Sequence, residues 1–345
     1  MRIVYWNTSC LEPEIEAISK EIFCLAQHFT PSWIVGVNPQ YRFRFSRKHR
    51  YAGFHPSFDL GLRALIPLIE SCAVNVNHVY GELCPWIFYK TLKRRPIVLT
   101  VASEKGEIRL DFLERCRKVL VQTVRLYTTL IEQGVERKKV EVLYPGVDLS
   151  RWKPRAPRQL DRSPKVLFAT APRTREELEG RGVHLLLQAA KVCPEIQYHL
   201  LYRPWRSGYT SLHPTQEAIT HYDLHNVTLT NALIPEMAAV YHQCDFVVIP
   251  YTRADGGKEC PNSLIEGLAC GLPVLISRVA PFAYFVEQYE CGVVFDPTPS
   301  GLVAAIEVGV SRYQRLSQNA CRAAHQCFSE TTVFQRLEEI YRQVA

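Results

Sequence analysis

Short β-branched runs alternate with longer amphipathic stretches along the whole chain, and this alternation is what most limits the fold. Runs of three to five largely apolar residues suit strands of a parallel sheet, and the stretches between them carry helical periodicity. In the first half the expected strands are 3–5, 33–37, 74–78, 97–101, 119–122 and 140–143, with helices at 15–28 and 124–133, the latter closed by Gly134. Pro154-Arg155-Ala156-Pro157-Arg158 then reads as a linker. Beyond it a second series is expected, with strands at 166–170, 197–201, 227–229, 246–249, 274–276 and 293–295. Its helices are expected at 183–192, 235–243, 263–270 and 301–311. At 345 residues the chain exceeds what one core usually serves. Two consecutive parallel α/β domains follow, facing a central cleft, because ligands of such sheets bind beyond the carboxyl ends of the strands.

Charge and cysteines narrow the partners. The formal net charge of +7 fits an anionic ligand or an anionic membrane surface, and it is too dispersed to indicate nucleic acid. The 12 cysteines include no C-x-x-C pair, which argues against zinc. Several, such as Cys24, Cys116, Cys193 and Cys270, sit inside apolar patterns as small hydrophobes. Residues 1–7 read as a strand and not as a leader, and no apolar stretch reaches 18 residues. The expected location is the cytoplasm, with peripheral contact at the inner membrane face.

The most informative segment runs from Lys258 to Ser277. Asn262 reads as a helix N-cap and Gly271 as the stop, with Pro273 just beyond. Leu264 and Leu268 share the buried face, and Glu266 lies roughly 200° around from them, at about 100° per residue. Free N–H groups at Ser263 and Leu264 would form an anion site at the helix start. A carboxylate one turn in can accept hydrogen bonds from a ribose diol. Together these have the dimensions of a nucleotide; the alternative is a plain surface helix with a solvated glutamate.

This segment resembles the signature of the retaining glycosyltransferases of family four: a Glu, seven residues, then a second Glu on a helix ending in a small-residue turn and Pro-Val. The resemblance extends to Val140–Asp148 with its Gly146-Val147-Asp148, to Trp152-Lys153-Pro154, to 234–250, and to the closing segment Phe328–Tyr341. It implies the GT-B fold, with an acceptor-side domain at 1–155, a donor-side domain at 156–327 and a closing helix at 328–345 that crosses back. It also implies transfer of a glycosyl group from a nucleotide-diphospho-sugar, with retention, to a saccharide, lipid-linked or small-molecule acceptor. The leaving diphosphate would be stabilised without a metal or other cofactor.

The departures are as informative. The first signature Glu falls on Lys258, with Glu259 beside it, so Glu259 is expected to take the catalytic place and Lys258 to reach a phosphate. The Asp255-Gly256-Gly257-Lys258 loop would be flexible enough to allow it. Arg181 occupies the family's phosphate-binding Lys place, and Arg173 or Arg175 supplies the second charge. Asn262, Ser263, Leu264 and Glu266 complete the expected donor site. On the acceptor side the family's glycine-rich turn is replaced by Glu12-Pro13-Glu14-Ile15-Glu16, and Ala102-Ser103-Glu104 stands where a His is frequent. His78 and Asn7 remain as acceptor-side residues, although a lone strand histidine is also a common structural residue.

Tyr41-Arg42-Phe43-Arg44-Phe45 alternates aromatic and basic residues before a basic run to Arg50. It reads as a half-buried edge strand with a charged loop, or as a contact for anionic lipid headgroups. His221 and His225 are four apart with no third ligand near, which fits a helix surface better than a metal. Two rival functions stand beside the transferase. One is a non-catalytic nucleotide-sugar-binding subunit, suggested by Lys258. The other is a dehydrogenase, disfavoured because no G-x-G-x-x-G follows an expected strand.

Overall fold

The computed structural model describes residues 1–8, 13, 16–38, 43–48, 50–83, 88, 91–103, 106–155, 160, 163–204 and 211–345. Much of the Glu12–Glu16 turn, Glu104, linker residues 156–159, and Tyr41, Arg42 and His49 therefore lie outside the described residues. The chain divides into two units, Met1–Gly146 with Thr331–Ala345, and Val147–Glu330.

Among the described residues the first unit holds an eight-stranded sheet. Its strands are β1 (Ile3–Asn7), β2 (Ser32–Val37), β3 (Phe43–Ser46), β4 (Tyr51–Phe54), β5 (Val76–Glu82), β6 (Ile97–Ser103), β7 (Cys116–Val121) and β8 (Val140–Val142). The order is β3-β4-β2-β1-β5-β6-β7-β8, parallel throughout except that β3 pairs antiparallel to β4. Its helices are α1 (Ala17–His28), α2 (Asp59–Ala73), α3 (Leu110–Arg115) and α4 (Val124–Glu132). Strand β4 was not expected, because Ala52-Gly53 has little β preference. It forms through its pairing with β2, Ile34 opposite Tyr51.

The second unit holds a six-stranded, all-parallel sheet among the described residues, in the order β11-β10-β9-β12-β13-β14. These strands are β9 (Lys165–Phe168), β10 (Gln197–Tyr202), β11 (Val227–Asn231), β12 (Phe246–Ile249), β13 (Val274–Ser277) and β14 (Gly292–Phe295). The helices around it are α5 (Arg175–Gly180), α6 (Val183–Val192), α7 (Leu212–His221), α8 (Met237–His242), α9 (Asn262–Ala269), α10 (Ala283–Gln288), α11 (Pro299–Ser311) and α12 (Tyr313–Ala323). The strand order reverses at β9, so β9 and β12 deliver their carboxyl ends to one switch point.

The division falls at Gly146, before the expected boundary at 155, and the physical reason is a set of contacts made by 147–155. The Val147 amide donates to the Phe328 carbonyl (2.7 Å), and the Glu330 amide donates to the Val147 carbonyl (3.2 Å). Arg155 pairs with the fully buried Asp245 at 2.9 Å, whose other oxygen accepts the Lys165 amide at 2.8 Å.

The last helix, α13 (Glu330–Val344), buries Val333, Phe334, Leu337, Ile340 and Tyr341. That stripe completes a core shared with Ile3, Tyr5, Ile22, Phe23 and Val98 of the first unit. Arg336 forks onto both Glu141 oxygens at 2.6 and 2.9 Å. Tyr341 hydrogen-bonds Nδ1 of His78, and Nε2 of His78 meets Thr100 Oγ1 at 2.7 Å.

His78 is fully buried, and burial pulls it from its ordinary value of 6.5 down to about 3. The unfolded chain therefore takes up this proton first. The associated stability is complete above about pH 6.5 and is lost as pH falls towards 3, at up to about 1.4 kcal/mol per pH unit. Thermal midpoints should accordingly fall between pH 7 and pH 4, and fall less steeply in His78→Gln. Equal slopes in the two proteins would show that His78 does not contribute.

Candidate functional site

The switch point of the second sheet is built by close backbone approach. Gly182, between α5 and α6, has φ +75°, and a Cβ there would stand 1.8 Å from the Pro250 carbonyl oxygen that follows β12. Gly256 lies so close to α5 that its Cβ would meet the Gly180 carbonyl oxygen at 2.1 Å. The Thr252 amide donates to Gly180 O at 3.0 Å, and Thr252 Oγ1 donates to Glu179 O at 2.9 Å. Arg253 reaches Glu176 and Asp255 at 3.3 and 3.1 Å. Gly256 thus packs closely against α5, and Gly257 against the Tyr251 ring and hydroxyl.

Arg181 sits at this junction with its side chain 17% exposed, whereas Arg175 is 85% exposed and pairs with Glu179. Arg181 donates to Thr170 Oγ1, and to Glu177 Oε2 at 3.0 Å, while its Nε is buried with no hydrogen-bond partner among the described residues. An unpartnered buried guanidinium nitrogen is costly unless something accepts from it, and an anion is the natural acceptor. Glu177 Oε2 also accepts the Arg173 amide at 2.8 Å; the Arg173 side chain is exposed. Of the expected pair of phosphate cations, Arg181 faces the junction and Arg173 lies on its rim.

Tyr251 connects Arg181 to the irregular acidic position. Its buried hydroxyl donates to the Lys258 carbonyl at 3.3 Å. Burial pushes Tyr251 up to about 12, the nearby Arg181 charge opposing and the Glu259 carboxylate adding to the rise. Lys258 Nζ donates to Asn262 Oδ1 at 2.9 Å. The ungapped Lys258 is therefore tied to the first residue of α9, and Glu259 lies within electrostatic reach of the same phenol as Arg181.

Helix α9 differs from expectation at its start. Pro261 is the N-cap and Asn262 the first helical residue, because Asn262 gives its side-chain oxygen to Lys258 and not to the helix amides. The Leu264 amide is not free either; it donates to the Pro261 carbonyl at 3.0 Å, which leaves Ser263 of the two expected amides. The helix ends as expected: the Gly271 amide donates to Leu268 O and the Leu272 amide to Gly267 O, a Schellman closure. Glu266 is half-buried, and its Oε2 accepts the Tyr241 hydroxyl at 2.9 Å. Tyr241 and Tyr251 were missed in the sequence; the available signal was a tyrosine within an apolar pattern, whose hydroxyl needs a partner when buried.

The acceptor-side expectation changes in part. His78 is enclosed, with both ring nitrogens engaged inside the first unit, so its role is structural: it seats Tyr341 of α13. Asn7 is buried at the carboxyl end of β1. Among the described residues no three His, Cys, Asp or Glu side chains gather as a metal site, and no helix is long and apolar enough to cross a membrane.

Comparison with known proteins gives this architecture its class. Residues 165–310 match the family model described as Glycosyl transferases group 1. The WcaL glycosyltransferase of Escherichia coli (strain K12), a protein named for colanic acid biosynthesis, is 28% identical over 172 residues, covering 47% of this chain and 40% of that protein. The chain thus matches well under half the length of this curated relative. A glycosyltransferase from Rickettsia africae superposes with a TM-score of 0.75 at 14% identity, covering 99% of this chain and 98% of that one. HepE from Anabaena, solved in complex with UDP, superposes at 0.76 with 16% identity over 99% of this chain and all of that one, 100%. The fold is α/β of the GT-B type, two Rossmann-like parallel-sheet domains, and the stretch that matches the family model lies within the second unit.

The packing at Gly182 yields a direct test. Gly182→Ala forces a Cβ into the Pro250 backbone at a positive φ, so it should destabilise the second unit by about 2–3 kcal/mol. Chemical denaturation would measure the loss; stability within about 0.5 kcal/mol of the parent would show that the junction yields.

Proposed function

We propose that the protein transfers a glycosyl group from a nucleotide-diphospho-sugar to an acceptor, with retention at the anomeric carbon and without a metal. The observation that carries this reading is the half-hidden Arg181 guanidinium at the β9–β12 switch point, with its buried Nε without a hydrogen-bond acceptor among the described residues. Arg181, Lys258 and the Ser263 amide would take the diphosphate, with Arg173 on the rim, and Glu266 the ribose. Fixed positive charge at the leaving diphosphate stabilises the transition state where charge develops. Glu259, within reach of the Tyr251 phenol, would face the positive charge that grows at the anomeric carbon. HepE was solved with UDP and with UDP-glucose, which supports a nucleotide sugar as the donor class. A saccharide or lipid-linked acceptor is in keeping with the name of the WcaL relative.

The experiment is a panel of UDP-, GDP-, ADP- and dTDP-sugars followed by calorimetry and turnover. Arg181→Ala should weaken nucleoside diphosphate binding by about 10- to 100-fold while leaving nucleoside binding nearly unchanged, as expected for a lost charged contact. Glu259→Gln should lower turnover far more than donor affinity. Equal losses for diphosphate and nucleoside, or full turnover in Glu259→Gln, would remove these residues from their roles. Inversion of the anomeric signal in product NMR would overturn retention.

We also propose that the edge of the first sheet meets an anionic membrane. Phe43 and Phe45 are 62% and 56% exposed on β3; Phe43 tilts against Phe54, Phe45 stacks on Trp33, and Phe58 stacks on Phe54. Arg44, Arg47, Lys48 and Arg50 accompany them, and the sequence places no carboxylate between residues 41 and 58. Aromatic rings with dispersed cations suit the headgroup region. The protein should sediment with phosphatidylglycerol vesicles, weakly with phosphatidylcholine vesicles, and lose about tenfold in affinity as Phe43→Ser/Phe45→Ser. Equal binding to both lipids, or no loss in the variant, would dismiss the contact.

A further inference from the structure

Tyr241 stands out among the buried polar side chains because its hydroxyl leaves the core to meet a residue of the donor site. It lies on α8, fully buried, and donates to Glu266 Oε2 at 2.9 Å. We propose that Tyr241 is a positioning residue of the donor site, holding the Glu266 carboxylate in the orientation that accepts the ribose hydroxyls. The inference rests on the nucleotide-sugar reading above and adds to it the residue that makes the ribose contact selective.

The direction of the hydrogen bond is settled by chemistry. A carboxylate only accepts, and the phenol has one proton to give. Burial, and then the Glu266 charge, hold Tyr241 well above its ordinary value of 10.0, so the proton stays on the phenol through the working range of pH. The ring has little freedom. It meets Trp152 edge-to-face at 5.5 Å and 84°, and it lies beside α9, where a Cβ on Gly267 would be 3.7 Å from its Cε1. Helix α8 is itself fastened to the 147–155 segment: His242 Nε2 meets the Lys153 carbonyl at 2.8 Å, and Arg151 donates to the Pro235 carbonyl at 2.8 Å.

A glutamate on a half-exposed helix face samples several rotamers, and freezing them on binding costs affinity. A rigid phenol on Oε2 removes that freedom before the ligand arrives. It also fixes which lone pairs point outward, so the carboxylate can tell a diol from a single hydroxyl. A tyrosine that merely filled the core would contribute stability and no such discrimination.

Calorimetry with UDP and its 2′-deoxy and 3′-deoxy analogues separates the possibilities, using the parent, Tyr241→Phe, Glu266→Ala and the double variant. The parent should prefer UDP over the deoxy analogues. Tyr241→Phe should lose about tenfold for UDP, less for the analogues, and so narrow the preference. In the Glu266→Ala background the same change should have little further effect, which is the mark of action through Glu266. A Tyr241→Phe protein with the parent's preference, whatever its thermal midpoint, would overturn the proposal while leaving the donor site intact. Failure of the parent to bind UDP, GDP or ADP would instead overturn the donor reading and this inference with it. Should Tyr241→Phe not fold, Trp152→Phe loosens the ring without removing the hydrogen bond. It should narrow the preference in the same sense, and an unchanged preference would count against the proposal.

Discussion

The second unit of this protein depends on two backbones meeting where β9 and β12 end. Gly182 and Pro250 touch at a distance that no side chain could share, and Gly256 lies on Gly180 in the same way. Parallel strands on either side of a reversal in strand order leave their following loops at one place. There the loops must pack against each other, and in doing so they bring Arg181, Tyr251 and the start of α9 into one neighbourhood. Every candidate donor contact is positioned by that packing and not by local secondary structure alone.

The polar groups around this junction form a graded series. Asp245 and Arg155 are satisfied within the fold and hold the 147–155 segment to the second unit. Tyr241 and Glu266 are satisfied by each other at the boundary between core and surface. Arg181 is satisfied in part, through Thr170 and Glu177, and its buried Nε has no partner among the described residues. Structural polar groups in a core are completed by the fold. The first unit shows the contrast: His78 has the burial of a site residue, but its two nitrogens are both taken, so it serves packing.

The strands and the principal helices were legible because short β-branched runs alternate with longer amphipathic stretches of a different period. Helix 183–192 coincides with expectation, and strands β9 to β14 fall within a residue or two of it. Strand β4 was not legible, because its pairing with β2, and not its own residues, holds it extended. Helix α9 was read one residue short at its start. Asn262 is a good cap by type, but Lys258 claims its side chain, and that contact depends on how the loop turns.

The sequence by itself determined the α/β class, the two-domain division in outline, and the identity of the residues that could meet a nucleotide: Arg181, Lys258, Glu259, Ser263 and Glu266. The class follows from periodicity, the start of the helix from residue chemistry, and Arg181, Lys258 and Glu259 from what the resemblance to a known family implies. Only the tertiary structure decided which of them converge, which amides are already used, that the two glycines after Asp255 serve packing, and that Tyr241 fixes Glu266. These are questions of which atoms are left without a partner once the chain has closed. A hydrogen bond between residues 25 positions apart, such as that from Tyr241 to Glu266, has no periodic trace in the chain that makes it.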